Sequence, residues 1–415
     1  MTAARAAVVT VFGILATMSA AFDAVSRNLA MPFVIKEFHL SVASVSDLVA
    51  LGFLVTFLGN QVIGPLMDRI GRKRAYQLTL AAAGLTSGFT AFVTNSWQFG
   101  VVAALSGTCL VILSPAGVMV AEESPRKARG ILMALVQGSF SAGSLVLGVV
   151  GNMVLPGGHW RILFLIGFSP LVLALLGQFV LREPVRSAEA RRVKREGITE
   201  GLTFDVDVEK ARRSEWRQLF EPGQKRQTIV LCVGGFLINY SPIFILGLSA
   251  TYFTLYDHVG IGTVSLSLML EGIGSIAGAV LLGFISRWIR VRNLIVVFSF
   301  LGAINLSLFG IHAGAGQILL LMTTYGFFGQ GFLGIWGRYI AESYPTRTRG
   351  TAMGFVMSFF FLSSVVAPVM FGGMIGAGTF ALTAIMAGVF AFLGGVVLAF
   401  GKAHDPVAEL EELAV

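Results

Sequence analysis

Twelve apolar runs dominate this chain, at about 7–33, 46–66, 75–94, 98–121, 129–153, 161–181, 228–255, 262–286, 293–311, 316–341, 350–375 and 378–400. Each is long enough to cross a hydrocarbon core of ~30 Å as a helix. In lipid every backbone N–H and C=O has to be bonded within the chain, so helices are what such runs form. Composition agrees, with 55% hydrophobic and 13% charged residues and a mean hydropathy of +0.80. A soluble chain of this length does not carry so few charges. The sequence therefore reads as an all-α membrane protein of six plus six spans.

The basic residues lie between the runs and report topology. Arg69, Arg72, Lys73 and Arg74 fill the turn after the second run, and further cations follow the fourth, sixth, eighth and tenth. The opposite side has Lys36 and Arg161 only. The positive-inside rule then puts both termini and the 182–226 connection in the cytoplasm. That connection holds twelve Lys/Arg and nine Asp/Glu. The expected organisation is a bundle over 1–181, a cytoplasmic linker over 182–227, a second bundle over 228–401 and a tail over 402–415. The net charge of +8 is a membrane signature here and does not point to nucleic acid. The first run carries Asp23 and Arg27 and lacks a small-residue cleavage site, so it reads as a retained helix.

An internal repeat supports the two halves. Ala121-Glu122-x-x-Pro125-x-x-x-Arg129-Gly130 recurs as Ala341-Glu342-x-x-Pro345-x-x-x-Arg349-Gly350, an offset of 342 − 122 = 220. The Glu122/Arg129 and Glu342/Arg349 pairs are expected to bracket the inner ends of the halves. The charged turn has only a degraded twin at 283–292, where Arg287 stands in the place of Asp68. In the intact copy, Gly64 and Gly71 permit close backbone approach, and Asp68 can accept hydrogen bonds from a neighbouring helix N-terminus.

An ionisable side chain within a span costs ~2.5–3.5 kcal/mol on insertion scales and needs a reason. Asp23 and Arg27 lie at i, i+4 on one face of the first span, where Asp23 is a proton carrier or half of a static ion pair. Glu271 has no partner on its own span, and either meets Arg27 or a proton across the centre or stays protonated and silent. Uncharged polar groups near midplane are Gln137, Asn239, Tyr240, Asn305 and Gln330, each a ligand contact or interhelical glue. Ser241-Pro242 is expected to interrupt the seventh span. Tyr252, Tyr325 and Trp336 are candidates to line a route or to pack in the core.

The turn Gly64-x-Leu66-x-Asp68-Arg69-x-Gly71-Arg72-Lys73 resembles the loop signature of the major facilitator superfamily of secondary transporters. Phe22-Asp23, Trp160-Arg161, Glu183-Pro184-x-Arg186 and Tyr344-Pro345-x-x-x-Arg349-Gly350 are similar to stretches of its sugar porter, organic-ion and aromatic-acid:proton symporter branch. The resemblance implies a major facilitator fold of twelve helices in two pseudo-symmetric bundles, with the substrate site near midplane between them. It implies that Asp23 takes a coupling proton, that Gln137 contacts substrate, and that Gly64, Asp68, Arg69, Gly71, Arg72, Glu122, Arg129, Glu342 and Arg349 form the inner gate. A multi-pass monomer in the bacterial inner membrane, with protons and a small molecule as partners, goes with it.

Departures narrow the reading. The paired glutamines of sugar porters are missing from the seventh span, Ala20 stands where aromatic-acid symporters carry a second Asp, and the fifth span lacks the Gly-Pro of drug antiporters. The expectation is a proton symporter of a small organic anion, with Asp23 and Glu271 handling protons. Arg27, Gln137, Asn239, Tyr240, Tyr252, Tyr325 and Gln330 are its substrate contacts. The alternatives are an organic cation or drug:proton antiporter, a sugar:proton symporter and, more remotely, a sensor that does not transport. No metal cluster, cofactor motif, HExxH, P-loop or Gly-x-Ser-x-Gly is present, so the chain does not read as an enzyme.

Overall fold

The computed structural model describes residues 3–40, 42–125, 128–196, 215–245, 261–311, 314–376 and 380–404. These residues form helices and turns. The first half comprises α1 (Ala3–Phe38), α2 (Val42–Ile70), α3 (Arg72–Phe89), α4 (Ser96–Glu123), α5 (Arg129–Val154) and α6 (Arg161–Val180). A surface helix, α7 (Val185–Glu196), follows. The second half comprises α8 (Lys225–Phe244), α9 (Ile261–Ile285), α10 (Val291–Leu308), α11 (Ala315–Glu342), α12 (Arg349–Gly376) and α13 (Phe380–Ala399). Eleven of these are long and apolar enough to cross a membrane. The twelfth, α3, begins on Arg72-Lys73-Arg74 and is too polar to stand out, yet it packs in the first half against α2 and α6.

Two helix pairs join the halves, α2 along α12 and α5 along α9. They obey the duplication. A Cβ on Gly64 would lie 3.0 Å from the Gly350 carbonyl oxygen, and one on Gly283 would lie 3.0 Å from that of Gly130. The residues correspond across the repeat, since 283 − 64 = 219 and 350 − 130 = 220. Glycine at each seam lets the backbones touch, which is how helices pack without a hydrophobic drive between them.

Four spans are broken among the described residues, α6 by a 3-10 turn at Ile166–Phe168, and the other three breaks each have a local cause. In α4 the Gly107 N–H bonds Ala104 and not Ala103, so the turn at Ser106–Gly107 releases the Ala103 carbonyl from the helix ladder, and the Ser106 hydroxyl donates to it at 2.9 Å. In α8 the helix breaks at Asn239, and Pro242 has no N–H for the Ile238 carbonyl. The Ser241 hydroxyl donates to that carbonyl instead, at 3.2 Å. In α11 the stretch Gly326–Gln330 winds as a π-helix. Such turns gather where helices serve a site.

Past α13 the chain folds back on the second half. The Lys402 N–H donates to Gln227 Oε1 (2.7 Å), Tyr339 donates its hydroxyl proton to the Lys402 carbonyl (3.0 Å), and the His404 ring meets Ser343 Oγ at 3.3 Å. Burial pushes the His404 imidazole down to about 4, helped by the Lys402 charge.

Candidate functional site

On α1 the Arg27 Nη2 lies 2.9 Å from Asp23 Oδ2, and the Asp23 side chain is fully buried while that of Arg27 keeps 14% of its surface exposed. Arg27 Nη1 donates to the carbonyl that the α4 break releases, Ala103 O, at 3.3 Å. The pairing is electrostatic. Neither Asp23 oxygen accepts a hydrogen bond among the described residues, and Arg27 Nε donates none. The carboxylate therefore keeps lone pairs for a proton and the guanidinium keeps a donor for another acceptor.

Glu271 is buried on α9 and forms no ion pair among the described residues; Arg27, its expected partner, is held by Asp23. Helix contacts fix its depth. Helix α1 meets α5 at Gly143, through Met18 and Ala21, and at Gly151, through Leu29. Asp23 lies between those contacts. Helix α9 meets the same stretch where Gly272 faces Leu145. Asp23 and Glu271 thus sit at one level, on the two helices that flank α5, one from each half.

The remaining polar candidates divide into engaged and unspent groups. Asn239 Nδ2 is engaged with α12, at Phe360 O (2.9 Å), Ser363 Oγ (2.8 Å) and Ser364 Oγ (3.1 Å). Tyr240 stacks on Phe390 at 4.6 Å, and Tyr325 donates to Ser241 Oγ at 3.0 Å. These three tie helices together. By contrast, Gln330 is buried with its Nε2 unused, and the Gln137 amide reaches across the seam to within 3.4 Å of a Cβ built on Gly337. Gln330 precedes Gly331, which packs on Gly278. That is 278 − 271 = 7 residues toward the charged end from Glu271, ~10 Å at ~1.5 Å per residue. Asn305 pairs with Thr324 on α11, and Trp336 is core. Tyr252 lies outside the described residues.

At the charged end the Asp68 carboxylate accepts from the Gly350 N–H (3.2 Å), the Thr351 N–H (2.6 Å) and the Thr351 hydroxyl (2.8 Å). It caps the N-terminus of α12, as an acid is suited to do. Arg72 binds Asp68 at 2.9 Å and Glu122 at 3.3 Å, and reaches over the seam to the Thr346 carbonyl at 2.6 Å. The repeated Glu–Arg motifs do not pair within each copy. They pair crosswise, Glu122 with Arg349 (3.4 Å) and Arg129 with Glu342 (3.8 Å). The offset relates equivalent residues, and an exchange about the axis between the halves makes each contact its partner's equivalent. Gly71 takes φ +104°, a left-handed value suited to glycine, and Arg69 is exposed.

Three residues of this end carry more than their sequence context suggested. Arg338 pairs with Glu342 (2.6 Å) and donates to Ser286 Oγ (2.8 Å), filling the second half's want of an Arg72. Glu183 accepts from the Arg72 and Lys73 N–H groups (2.8 and 3.0 Å) and so caps α3. Arg5 binds Glu123 at 2.8 Å. Arg287, standing in Asp68's place, turns outward over the Phe284 and Trp288 rings at 3.8 and 4.5 Å. At the other end of the molecule Arg161 and Trp160 both donate to Glu37 (2.7 and 2.9 Å). The Arg161 hydrogen bonds hold the Glu37 carboxyl below its ordinary value against the opposing effect of burial.

The family model of the Major Facilitator Superfamily matches residues 13–335. The chain is 24% identical over 412 residues to the cis,cis-muconate transport protein of Acinetobacter baylyi, covering 95% of this chain and 94% of that one. It is 26% identical to the gentisate transporter of Corynebacterium glutamicum, covering 85% and 77%. Among solved structures it is similar to the proton:xylose symporter XylE, with a TM-score of 0.80, 16% identity and coverage of 100% and 99%. Broken helices, a seam closed by exchanged Glu–Arg pairs and the family match converge: this chain belongs to the Major Facilitator Superfamily.

Proposed function

We propose that this protein is a proton-coupled symporter that carries a small organic anion across the bacterial inner membrane by alternating access. The bundles over 1–181 and 228–401 rock about the midplane, with 182–227 as their tether and both termini in the cytoplasm. The observation that carries this reading is the Asp23–Arg27 pair, buried with its lone pairs and one guanidinium donor unspent. Two unit charges 4 Å apart interact by ~4 kcal/mol at an effective dielectric of ~20. Protonation of Asp23 removes that hold and makes Arg27 available to a substrate carboxylate. The loaded centre is then nearly neutral and crosses between states at lower cost. Curated relatives support the anion: the named cargoes include muconate, gentisate, gallate and benzoate. Gln137 and Gln330 supply donors toward the charged end.

The seam of Asp68, Arg72, Glu122, Arg129, Glu342 and Arg349 serves as the inner gate, shut when the site faces outward. One observation favours a second reading. Glu271 has no ion-pair partner among the described residues, as an acid that holds a cation in an organic cation:proton antiporter would. Uptake into proteoliposomes separates the two. Acid outside drives benzoate inward in a symporter, and Arg27→Gln weakens anion affinity; if affinity is untouched, the anion reading fails.

A further inference from the structure

We infer that Glu271 sets the charge class of the cargo: one carboxylate at Arg27, a neutral hydrogen-bonding group at Glu271, and no second carboxylate, which sets this chain apart from its relative that carries the dicarboxylate muconate. The inference deepens the organic-anion reading and rests on it. A ligand that reports to both halves has to touch both, and among the described residues the ionisable groups that the two halves bring to the level of α5 residues 143–151 are the Asp23–Arg27 pair and Glu271. Arg27 is a single cation, and Asp23 already answers it at 2.9 Å. Protonating Asp23 releases one positive charge, enough for one carboxylate.

The far end of the cargo then meets Glu271, whose Oε1 is buried and accepts nothing among the described residues. A hydroxyl suits this acid in either state, donating to the carboxylate or accepting from the acid. A second carboxylate does not. It faces a like charge in a low dielectric or has to share a proton with Glu271, and such juxtapositions are the usual means by which a site rejects a wrong partner. The inner groups do not relieve it, since Gln137 and Gln330 are neutral amides ~10 Å further in.

The test uses three ligands on one ring, benzoate, 4-hydroxybenzoate and terephthalate, with the full-length protein in proteoliposomes. Counterflow needs no proton gradient, so it reads selectivity even if Glu271 also takes part in coupling. The expected result is that wild-type protein exchanges the two monocarboxylates at least about tenfold faster than terephthalate. Glu271→Gln narrows that ratio about tenfold by admitting terephthalate. Should the variant not turn over, quenching of tryptophan fluorescence by each ligand in Glu271→Gln and Glu271→Ala gives the same ratio from binding. A wild type that carries terephthalate as well as benzoate, or an unchanged ratio in both variants, overturns the inference and leaves the symporter standing. Exchange of none of the three overturns the organic-anion reading and this inference with it.

Discussion

Asp68 and Thr351 join the two halves of this transporter through a single carboxylate, which accepts the Thr351 backbone N–H at 2.6 Å and its hydroxyl at 2.8 Å. The acid comes from the end of α2 and the donors from the start of α12, so the contact is broken whenever the halves part at this end. Asp68→Asn keeps the shape but turns an NH₂ toward donors. Leaving buried donors unmet costs ~1–3 kcal/mol. The closed seam is expected to open more often. Labelling of a cysteine placed at Gln137, after replacement of Cys109 and Cys232, should speed up at least about fivefold from the charged side, at ~1.4 kcal/mol per tenfold.

The crosswise pairing predicts which double variants couple. Glu122→Gln with Arg349→Gln should be non-additive in thermal stability by ~0.5–3 kcal/mol, the range for residues in contact. Glu122→Gln with Arg129→Gln should be close to additive. The reverse outcome means that the motifs pair within each copy.

Arg338 should behave as part of this cluster although it stands alone in the sequence. Arg338→Met removes the partner of Glu342 at 2.6 Å and the donor to Ser286. Removing one side of a buried ion pair costs ~3–5 kcal/mol. Here Arg129 remains near Glu342 at 3.8 Å, so the loss should fall at the lower end, read as a drop in melting temperature in detergent.

Two titrations outside the spans have opposite chemistry and the same sign. His404 is held neutral to about 4, below its unfolded value of ~6.5. The unfolded chain binds the extra proton between those values, so the tail's contribution is full above ~6.5 and fades as pH falls toward 4. Its partial exposure reduces the effect to the order of 1–2 kcal/mol. Glu37 is lowered by its hydrogen bonds from Arg161, so its contribution is also present above the ordinary carboxylate range and lost as pH falls. Melting curves from pH 7 to pH 4 should show the slope, and His404→Ala should flatten its upper part.

How much of this was legible in the sequence depends on separation along the chain. Local chemistry was readable: the Asp68 turn announced an acid beside a helix start, Ser241-Pro242 a broken span, and Asp23/Arg27 a pair on one helix face. Arg338 and Glu342 share that i, i+4 spacing, a signal that could have marked Arg338. Partner choice across halves was hidden. An offset of 220 shows that Glu122 and Glu342 are equivalent, but two arrangements satisfy it, pairing within copies or exchange between them. Glu37 finds Arg161 across 124 residues, and Asn239 is spent on Ser363 and Ser364 of another helix. No period within either segment carries that information.

The direct measurement of the central claim compares Asp23→Asn with wild type in proteoliposomes given labelled benzoate. With acid outside, and with the passive entry of benzoic acid into protein-free liposomes subtracted, wild-type protein should concentrate the anion and the variant should not, while the variant still exchanges label in counterflow. A variant that concentrates benzoate as well as wild type does would contradict the assignment of coupling to Asp23.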